Sequence, residues 1–311
     1  MDKINNIDIF CPDDSTPKKP GIDYPIQNSF SYYSTTTETN RTLTVLIPPN
    51  YDSKKKYPVF YFLHGIMSDG NSLIKNGYGT VAIPGNLFYQ QKVKEMFIVF
   101  PDQYAPAPGT EVRPGYNQKY YDGYDNFINE LINDIMPLME RKYSIKTGRE
   151  NTAIVGYSFG GRNSLYIGLT RSDLFGYIGA FSPAPGVLPG DDIFTGHFDG
   201  LYQEDELKAK YKDPNLLMLS CGTNDSIVFD TPKYYHEVLT KNKQKHIWYE
   251  MPGIDHSNYP VISSPYHNFL TLIFGQLNKR IYGYQYTITK KKTKTTSTAT
   301  TTTTTSSTTA S

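Results

Sequence analysis

The chain has 311 residues, of which 38% are hydrophobic, and this is enough for one large core. Its 31 basic and 30 acidic residues leave a formal net charge of +1, which argues against a nucleic-acid or membrane partner bound through charge. No apolar run reaches the roughly 18 residues that a membrane span requires.

The first 23 residues are predicted to be a leader that precedes a folded domain at residues 24–283. The leader contains Cys11 and lacks the basic-then-apolar pattern of a secretory signal. Cys221, the other cysteine, ends an apolar run and is predicted to be a buried thiol. Two cysteines cannot form a disulfide framework, and a single bridge between them is left as an open alternative.

Short apolar runs recur along the folded domain and predict strands. These runs lie at residues 42–47, 59–63, 97–100, 152–155, 177–181, 216–221 and 247–250. Apolar residues at helical spacing predict helices at residues 124–143, 158–169, 232–243 and 265–277. Pro137 is expected to kink or break the first helix, and Thr231 is expected to be the N-cap of the third, with Pro232 in its first position.

Strands that alternate with helices predict the α/β class, with a mostly parallel central sheet and helices on both faces. Active sites in such sheets form beyond the carboxyl ends of the strands. His64, Asp102, Ser158 and Asp225 each lie just after a predicted strand. We therefore expect these four side chains to gather at one edge of the sheet.

The most informative motif is Gly156-Tyr157-Ser158-Phe159-Gly160, which follows a predicted strand and opens a predicted helix. This is the context of a nucleophile elbow, G-x-S-x-G, in which a sharp turn exposes the serine hydroxyl. Glycine is needed on either side because a Cβ there would collide with the neighbouring strand or helix. Ser158 is therefore the candidate nucleophile of an α/β-hydrolase.

A serine nucleophile needs a base to remove its proton and an acid to orient that base, and this fold places them in the order Ser, Asp, His. Asp225 follows a strand in the turn Gly222-Thr223-Asn224-Asp225, and His256 lies in the loop after the last strand. Asp255 adjoins His256, so its side chain is expected to point elsewhere. Since no histidine pair has metal-ligand spacing, we predict no metal and no cofactor.

The oxyanion of a tetrahedral intermediate needs backbone N–H donors. One is expected at Phe159, directly after the nucleophile, and the other at Ile66, in the turn after the strand at residues 59–63. His64 is expected to hold that turn through a hydrogen bond. Together with the serine, its base and its acid, these donors predict two-step acyl transfer through an acyl-enzyme.

Tyrosine is abundant, with 27 residues, and two interpretations are open. Half-buried surface rings would explain the number, and so would stacking on sugar rings or on an aromatic acid, because tyrosine combines a flat apolar body with a polar tip. Tyr-rich loops at residues 103–121 and 182–202 are candidate walls of an acyl and sugar site. The candidate substrate contacts are Tyr104, Tyr116, Tyr157 and Tyr259.

From Lys290 the chain becomes rich in Lys and Thr, and it ends in a Thr/Ser run. Such a segment cannot bury enough apolar surface to offset its ordering entropy, so residues 284–311 are predicted to be a disordered linker. Ser/Thr tracts of this kind are common as glycosylated spacers. The tail therefore predicts a secreted, extracellular protein whose signal peptide has been removed, with a further module after the linker.

At these motifs the chain resembles the microbial feruloyl and acetylxylan esterases of carbohydrate esterase family 1 (CE1), a branch of the α/β-hydrolases. The resemblance runs from about Tyr24 to Leu277. It rests on the segments TLTVLIPPNYDSKKKYPVFYFLHGI, DGYDNFINELINDIMP, GYSFGGRNSLYIGL, LSCGTNDS and PGIDHSNY. It implies the same catalytic and oxyanion roles for the residues named above. The chain departs from the family at Tyr157-Ser158-Phe159, where close relatives have Leu-Ser-Met, and at Tyr259, where they have tryptophan; both departures bear on the acyl pocket.

The resemblance implies release of ferulic acid from the arabinoxylan of plant cell walls, with acetylxylan esterase as the alternative. An acyltransferase and a non-catalytic carbohydrate-binding relative are further alternatives. The implied partner is a feruloylated or acetylated plant polysaccharide, and the implied module beyond the linker is carbohydrate-binding or dockerin-like.

Overall fold

The computed structural model describes residues 8–275 and, for the backbone alone, the strand Tyr286–Ile288. The end of the last predicted helix, at residues 276–277, lies outside the described residues. So does the predicted linker, apart from Tyr286–Ile288.

Eleven strands are found in the described residues. They are β1 (Ile26–Ser34), β2 (Thr39–Ile47), β3 (Val59–Leu63), β4 (Phe97–Pro101), β5 (Thr152–Tyr157), β6 (Tyr177–Phe181), β7 (Gly190–Asp192), β8 (Gly196–Phe198), β9 (Leu216–Gly222), β10 (Ile247–Met251) and β11 (Tyr286–Ile288). Nine of them form the central sheet in the order β1-β2-β4-β3-β5-β6-β9-β10-β11, while β7 and β8 pair as a separate antiparallel hairpin.

The sheet is parallel from β4 to β11, and only the pairs β1–β2 and β2–β4 are antiparallel. Parallel strands need crossover connections, and helices supply them here. The predicted α/β class, with a mostly parallel sheet, is confirmed.

Eight α-helices are present in the described part of the chain. They are α1 (Ser72–Lys75), α2 (Ala82–Tyr89), α3 (Gln118–Asp125), α4 (Phe127–Glu130), α5 (Met136–Lys142), α6 (Phe159–Thr170), α7 (Thr231–Lys241) and α8 (Pro260–Leu272). None of the described helices is both long and apolar enough to cross a membrane.

The core lies in two layers because successive side chains of a strand point to opposite faces. In β3, Val59, Tyr61 and Leu63 pack into the layer that α4, α5, α6 and α7 cover, whereas Phe60 and Phe62 pack into the layer under α2 and α8. All five residues of β3 are buried, which explains why its sequence is a continuous apolar run rather than an alternating one.

The structure corrects the starts of the third and fourth predicted helices and supports one predicted break. Pro137 lies in the first turn of α5, which follows a π-helical turn at Leu131–Ile135. Proline has no backbone N–H to donate, so the regular α-helical hydrogen bonding is interrupted just before it. Thr231 is the first residue of α7, with Asp230 as N-cap. The last helix begins at Pro260 and contains Pro265 in its interior, so the predicted start at residue 265 is wrong.

Residues 8–25 pack against α2 and α8. Buried Asn86 of α2 donates to the carbonyls of Ser15 and Pro17, at 2.9 and 3.0 Å, and accepts from the Tyr24 hydroxyl at 2.7 Å. Asn268 of α8 donates to the carbonyl of Asp8 at 2.9 Å. Both cysteines are free thiols, so the alternative of a bridge between them is wrong.

Candidate active site

Ser158 lies on a sharp turn between β5 and α6. Its backbone has φ of 57° and ψ of −120°, a conformation that a residue with a side chain rarely adopts. A Cβ on Gly156 would meet the carbonyl of Gly160, and a Cβ on Gly160 would meet the carbonyls of Leu63 and His64. The turn is therefore the strand–turn–helix arrangement that the pentapeptide predicts.

Ser158, His256 and Asp225 form one hydrogen-bonded chain. The Ser158 Oγ lies 3.0 Å from His256 Nε2, and His256 Nδ1 lies 2.8 Å from Asp225 Oδ2. All three residues are buried, with 8%, 9% and 6% of their surfaces exposed respectively. The structure thus brings together three side chains that come from the turn after β5, the loop after β10 and the loop after β9.

Asp225 is fixed by its own backbone turn. Its Oδ1 accepts the N–H groups of Ile227 and Val228, each at 3.1 Å, and this leaves Oδ2 for His256. Burial alone would raise the pKa of Asp225, but His256 and these backbone N–H groups outweigh it, so the pKa lies below its ordinary value. The acid is therefore ionised at neutral pH and can stabilise a positively charged imidazole.

Asp255 and three other histidines have partners outside the catalytic set. Asp255 accepts a hydrogen bond from the Ser226 hydroxyl at 2.8 Å. The imidazole of the adjacent His256 bonds to Asp225 instead. His197, an exposed residue of β8, pairs with Asp191 at 2.9 Å. His236 Nδ1 and His246 Nε2 lie 2.7 Å apart, on α7 and beside β10.

The turn after β3 lies directly against the serine. A Cβ on Gly65 would be 3.6 Å from the Ser158 Cβ and 3.9 Å from its Oγ. His64 is fully buried, with Nδ1 donating to the Gly65 carbonyl at 2.6 Å and Nε2 accepting the Gln103 N–H at 3.0 Å. His64 therefore ties the turn that contains Ile66 to the end of β4.

Ile66 and Phe159, the predicted oxyanion donors, meet in one aromatic cluster. The cluster of buried side chains around Phe159 is called the aromatic wall below. Ile66 and Tyr104 pack against it. Phe159 lies 4.8 Å, between ring centroids, from both Tyr121 and Tyr124. The remaining members of the aromatic wall are Tyr120, Ala184, Phe198 and Val228.

The four candidate substrate tyrosines occupy different places. Tyr157 donates to the His256 carbonyl at 2.6 Å, and its ring lies 4.8 Å from the imidazole. Tyr104 packs against Tyr120 in the aromatic wall, at 4.6 Å. Tyr116, half exposed, stacks on Phe194 of the turn between β7 and β8, and Tyr259 packs against Tyr78.

The predicted Tyr-rich loop at residues 103–121 includes Tyr120 and Tyr121, but the structure places both on α3 together with Tyr124. Tyr120 and Tyr124 stand one helical turn apart, and Asn117 caps the helix by accepting the Tyr120 N–H at 3.1 Å. An N-cap asparagine followed by tyrosines at positions i and i+4 was the available signal. The predicted helix starts only at residue 124, so the sequence assigns Tyr120 and Tyr121 to the preceding loop, and the structure corrects this to α3.

Across the described residues, no group of three or more His, Cys, Asp or Glu side chains could hold a metal ion. At the carboxyl edge of the sheet, a hydroxyl, an imidazole and a carboxylate instead form one hydrogen-bonded chain. This chain lies next to a tight turn and the aromatic wall. Such a set can carry out nucleophilic acyl transfer.

The family model described as "Putative esterase" matches residues 34–250. The chain belongs to this esterase family. A ferulic acid esterase of the CE1 family from Anaeromyces mucronatus, solved in complex with ferulic acid, is 53% identical. The match covers 88% of this chain and 99% of that structure, with a TM-score of 0.85. The resemblance to the CE1 esterases is thus confirmed, and the protein is a carboxylic ester hydrolase.

Two curated relatives are more distant. This chain is 25% identical to the uncharacterized protein YbbA of Bacillus subtilis, in a match that covers 46% of this chain. It is 24% identical to an endo-1,4-beta-xylanase/feruloyl esterase of Xylanibacter ruminicola, in a match that covers 63% of this chain. The matches span 56% and 24% of those proteins, so the chain corresponds to only part of each.

Proposed function

We propose that this esterase releases ferulic acid, or a closely related hydroxycinnamic acid, from a feruloylated plant polysaccharide. The observation that carries the proposal is the chain from Ser158 through His256 to Asp225, with links of 3.0 and 2.8 Å. The ferulic acid bound to the Anaeromyces relative supports this acid, and the xylanase named in the Xylanibacter relative supports a xylan-type polymer.

The reaction proceeds in two steps at one serine. His256 removes the proton from the Ser158 hydroxyl as the oxygen attacks the ester carbonyl, and it then passes that proton to the departing sugar alcohol. Water, deprotonated by the same imidazole, hydrolyses the acyl-enzyme and releases the acid. Asp225 holds the imidazole ring and stabilises its charged form throughout.

Two backbone N–H groups stabilise the negative oxygen of each tetrahedral intermediate in this proposal. Phe159 offers one at the start of α6, where the helix dipole also favours negative charge. Ile66 offers the other from the turn whose Gly65 lies against Ser158. Removal of one such donor typically lowers turnover by about 10²–10³.

The aromatic wall favours a phenolic acid over acetate. The rings of the wall itself are buried, but Tyr104 and Ile66, which pack against it, are half-buried and offer the apolar surface on which a cinnamoyl ring stacks. An acetyl group would leave most of this surface unused. Tyr157, which contacts His256, and Tyr104, within the wall, are proposed substrate contacts.

A comparison of two esters tests the acid. The kcat/KM for methyl ferulate is expected to exceed that for methyl acetate by orders of magnitude, since only the first ester can stack on the aromatic wall. Equal or greater activity on the acetyl ester would instead favour an acetylxylan esterase.

Variants of the catalytic relay, the hydrogen-bonded chain from Ser158 through His256 to Asp225, test the mechanism. Ser158→Ala is expected to remove labelling by a fluorophosphonate and to reduce hydrolysis to a residual rate of roughly 10³–10⁴ over water. Asp225→Asn should lower kcat by up to about 10⁴. Ser164→Ala is the matched control, because this buried serine of α6 donates to the Gly179 carbonyl and lies outside the relay. Full activity in Ser158→Ala would refute the assignment.

We further propose that the protein acts outside the cell. Its proposed substrate is a polymer that cannot enter a cell, which fits the secretion predicted from the Thr/Ser tail. Fractionation of producing cells would test this, since the esterase activity should appear in the medium. A carbohydrate-binding or dockerin-like module beyond the linker likewise stays a prediction.

A further inference from the structure

A polar groove of about 390 Å³ lies along β2 and the carboxyl end of β4. This volume is within the range of sites that bind small molecules. One wall belongs to β2 and the other to the loop between β3 and α1. The polar residues of its walls include Asn40, Arg41, Thr42, Asp69, Asn71 and Asp102.

The groove and Ser158 flank the same turn. Asp102 Oδ1 lies 3.4 Å from His64 Nε2, and the adjacent Gly65 lies against Ser158. In the sheet, β4 neighbours β3 and β3 neighbours β5, which ends at the serine. Two strand spacings amount to about 10 Å, a separation that a short oligosaccharide spans.

Several polar groups of the groove are held in place before any ligand arrives. Arg41 donates to the Asp102 carbonyl at 2.7 Å, and Asn71 accepts the Thr44 hydroxyl at 2.7 Å. Asp69 accepts the Asn71 N–H at 2.8 Å. Fixed amide, guanidinium and carboxylate groups lose little entropy on binding and can each bridge neighbouring hydroxyls.

The composition of the groove selects among ligand classes. Asp69 and Asp102 set two carboxylates against the single guanidinium of Arg41, which disfavours an anion. The described residues contain no acidic, His and Cys cluster fit for a metal ion. Threonine hydroxyls and asparagine amides suit a neutral ligand rich in hydroxyl groups.

We infer that this groove binds the neutral carbohydrate chain to which the ester is attached. The inference rests on the proposed function, because it assigns the alcohol side of that substrate to the groove. Phenolic acid and sugar chain then occupy separate surfaces, the aromatic wall and the groove, on the same edge of the sheet.

Substitutions on the exposed residues of β2 test the groove. Thr42→Tyr should fill it while keeping a residue that strands favour, and Asn40→Ala should remove an amide. For both variants, kcat/KM for a feruloylated arabinoxylo-oligosaccharide is expected to fall about tenfold, mainly through KM, which is a common effect of one lost polar contact. The rate on methyl ferulate, which has no sugar, should stay unchanged.

Ser31→Tyr is the matched control for Thr42→Tyr. Ser31 is exposed and pairs with Thr42 across the β1–β2 ladder, but it does not line the groove. The control is expected to hydrolyse both esters like the wild type. Equal losses in Thr42→Tyr and Ser31→Tyr, or equal losses on both esters, would overturn the inference.

A binding measurement separates this inference from the proposed function. Ser158→Ala protein should bind an arabinoxylo-oligosaccharide without ferulate in calorimetry, and the added Thr42→Tyr change should weaken that binding about tenfold. Absence of binding would refute the groove assignment even if methyl ferulate is hydrolysed. Conversely, binding without any hydrolysis by the wild type would refute only the proposed esterase substrate.

Discussion

Tyr124 links Phe159 to the turn that contains Ile66 through different parts of one side chain. Its hydroxyl accepts the N–H of Met67, the residue after Ile66, at 3.0 Å, and its ring packs on Phe159 at 4.8 Å. Met67 has φ of 54°, so its backbone conformation needs support from its surroundings. Burial raises the pKa of Tyr124 above its ordinary range, and the hydroxyl therefore stays protonated. Tyr124 is a positioning residue for the turn that contains Ile66.

Tyr124→Phe is therefore expected to lower kcat about 10–100-fold with little change in KM. The ring and its contact with Phe159 stay, whereas the turn loses its anchor at Met67, so the donor of Ile66 is displaced rather than deleted. A boronic acid, whose tetrahedral adduct places an oxygen where the intermediate does, should bind less tightly by a similar factor. Affinity for free ferulate should not change.

Tyr57→Phe separates this positioning effect from loss of stability. Tyr57 is also buried, and its hydroxyl accepts a backbone N–H, that of Asp52, at 2.9 Å, close to the amino end of β3. Both variants leave one N–H without its partner, which costs about 1–3 kcal/mol of unfolding free energy. If Tyr57→Phe lowers kcat as much as Tyr124→Phe does, the positioning role is wrong.

Cys221 is expected to be inert toward thiol reagents in the folded protein. Burial, followed by the nearby charges of Glu250, Asp225 and Asp230, raises its pKa to about 12, and only the thiolate reacts. In a Cys11→Ser variant, which leaves one thiol, titration with a disulfide reagent at pH 8 should detect no thiol before unfolding and one after it. Rapid labelling of the native variant would contradict this prediction.

At the scale of elements, the active site depends on how closely α6 approaches β3. Gly160 lies in the first turn of α6, where a Cβ would meet the carbonyls of Leu63 and His64. The short distance brings the start of the helix, with the Phe159 N–H, beside the turn that contains Ile66. A glycine at this position is thus required by packing between two elements and not by its own backbone dihedral angles.

Gly160→Ala is expected to reduce both stability and kcat. The methyl group has to push α6 away from β3, and overpacking of this kind costs about 1–3 kcal/mol or more, since backbone atoms must move. Thermal unfolding and hydrolysis of methyl ferulate would measure the two effects. Gly190→Ala is the control, because a Cβ there meets nothing within 4 Å, and it should leave both properties intact.

At the scale of the whole molecule, the buried strands could be predicted because burial on both faces leaves a continuous apolar run. β3 and β6 have the predicted bounds, and each is fully buried. β1 could not be recognised in the same way, since its sequence IQNSFSYYS alternates and one face stays exposed. Proline gave a false start for α8, because Pro260 and Pro265 both fit a first turn and tertiary packing tolerates the second inside the helix.

The residues of the site differ in how far sequence could predict them. Ser158, Asp225 and His256 were foreseeable as a set because chain order and strand ends constrain where a relay can form, and the structure brings them within hydrogen-bonding distance. The segments at residues 103–121 and 182–202 were foreseeable as parts of the aromatic wall, but their contacts with one another were not, since Phe198 and the tyrosines of α3 meet only after the chain has folded. Contacts between distant loops leave no periodic pattern in a sequence.

Two histidines far from Ser158 link the stability of the whole fold to pH. His246 is buried, donates from Nδ1 to the Gln244 carbonyl at 2.7 Å and accepts at Nε2 from His236, whose ring stacks on Trp248. Burial, opposed by the Gln244 carbonyl and assisted by His236, lowers the pKa of His246 from 6.5 to about 4. The folded protein thus keeps this imidazole neutral where the unfolded chain would protonate it.

His246→Asn is expected to flatten the pH dependence of stability between pH 6.5 and 4. In this window the unfolded chain binds a proton that the folded wild type does not, so the free energy of unfolding falls as pH falls, by roughly 3 kcal/mol for this group. The contribution is fully present above pH 6.5 and is lost as pH drops toward 4. Urea unfolding at several pH values would measure the slope, with His197→Asn as an exposed control. A variant slope equal to that of the wild type would show that another group governs acid unfolding.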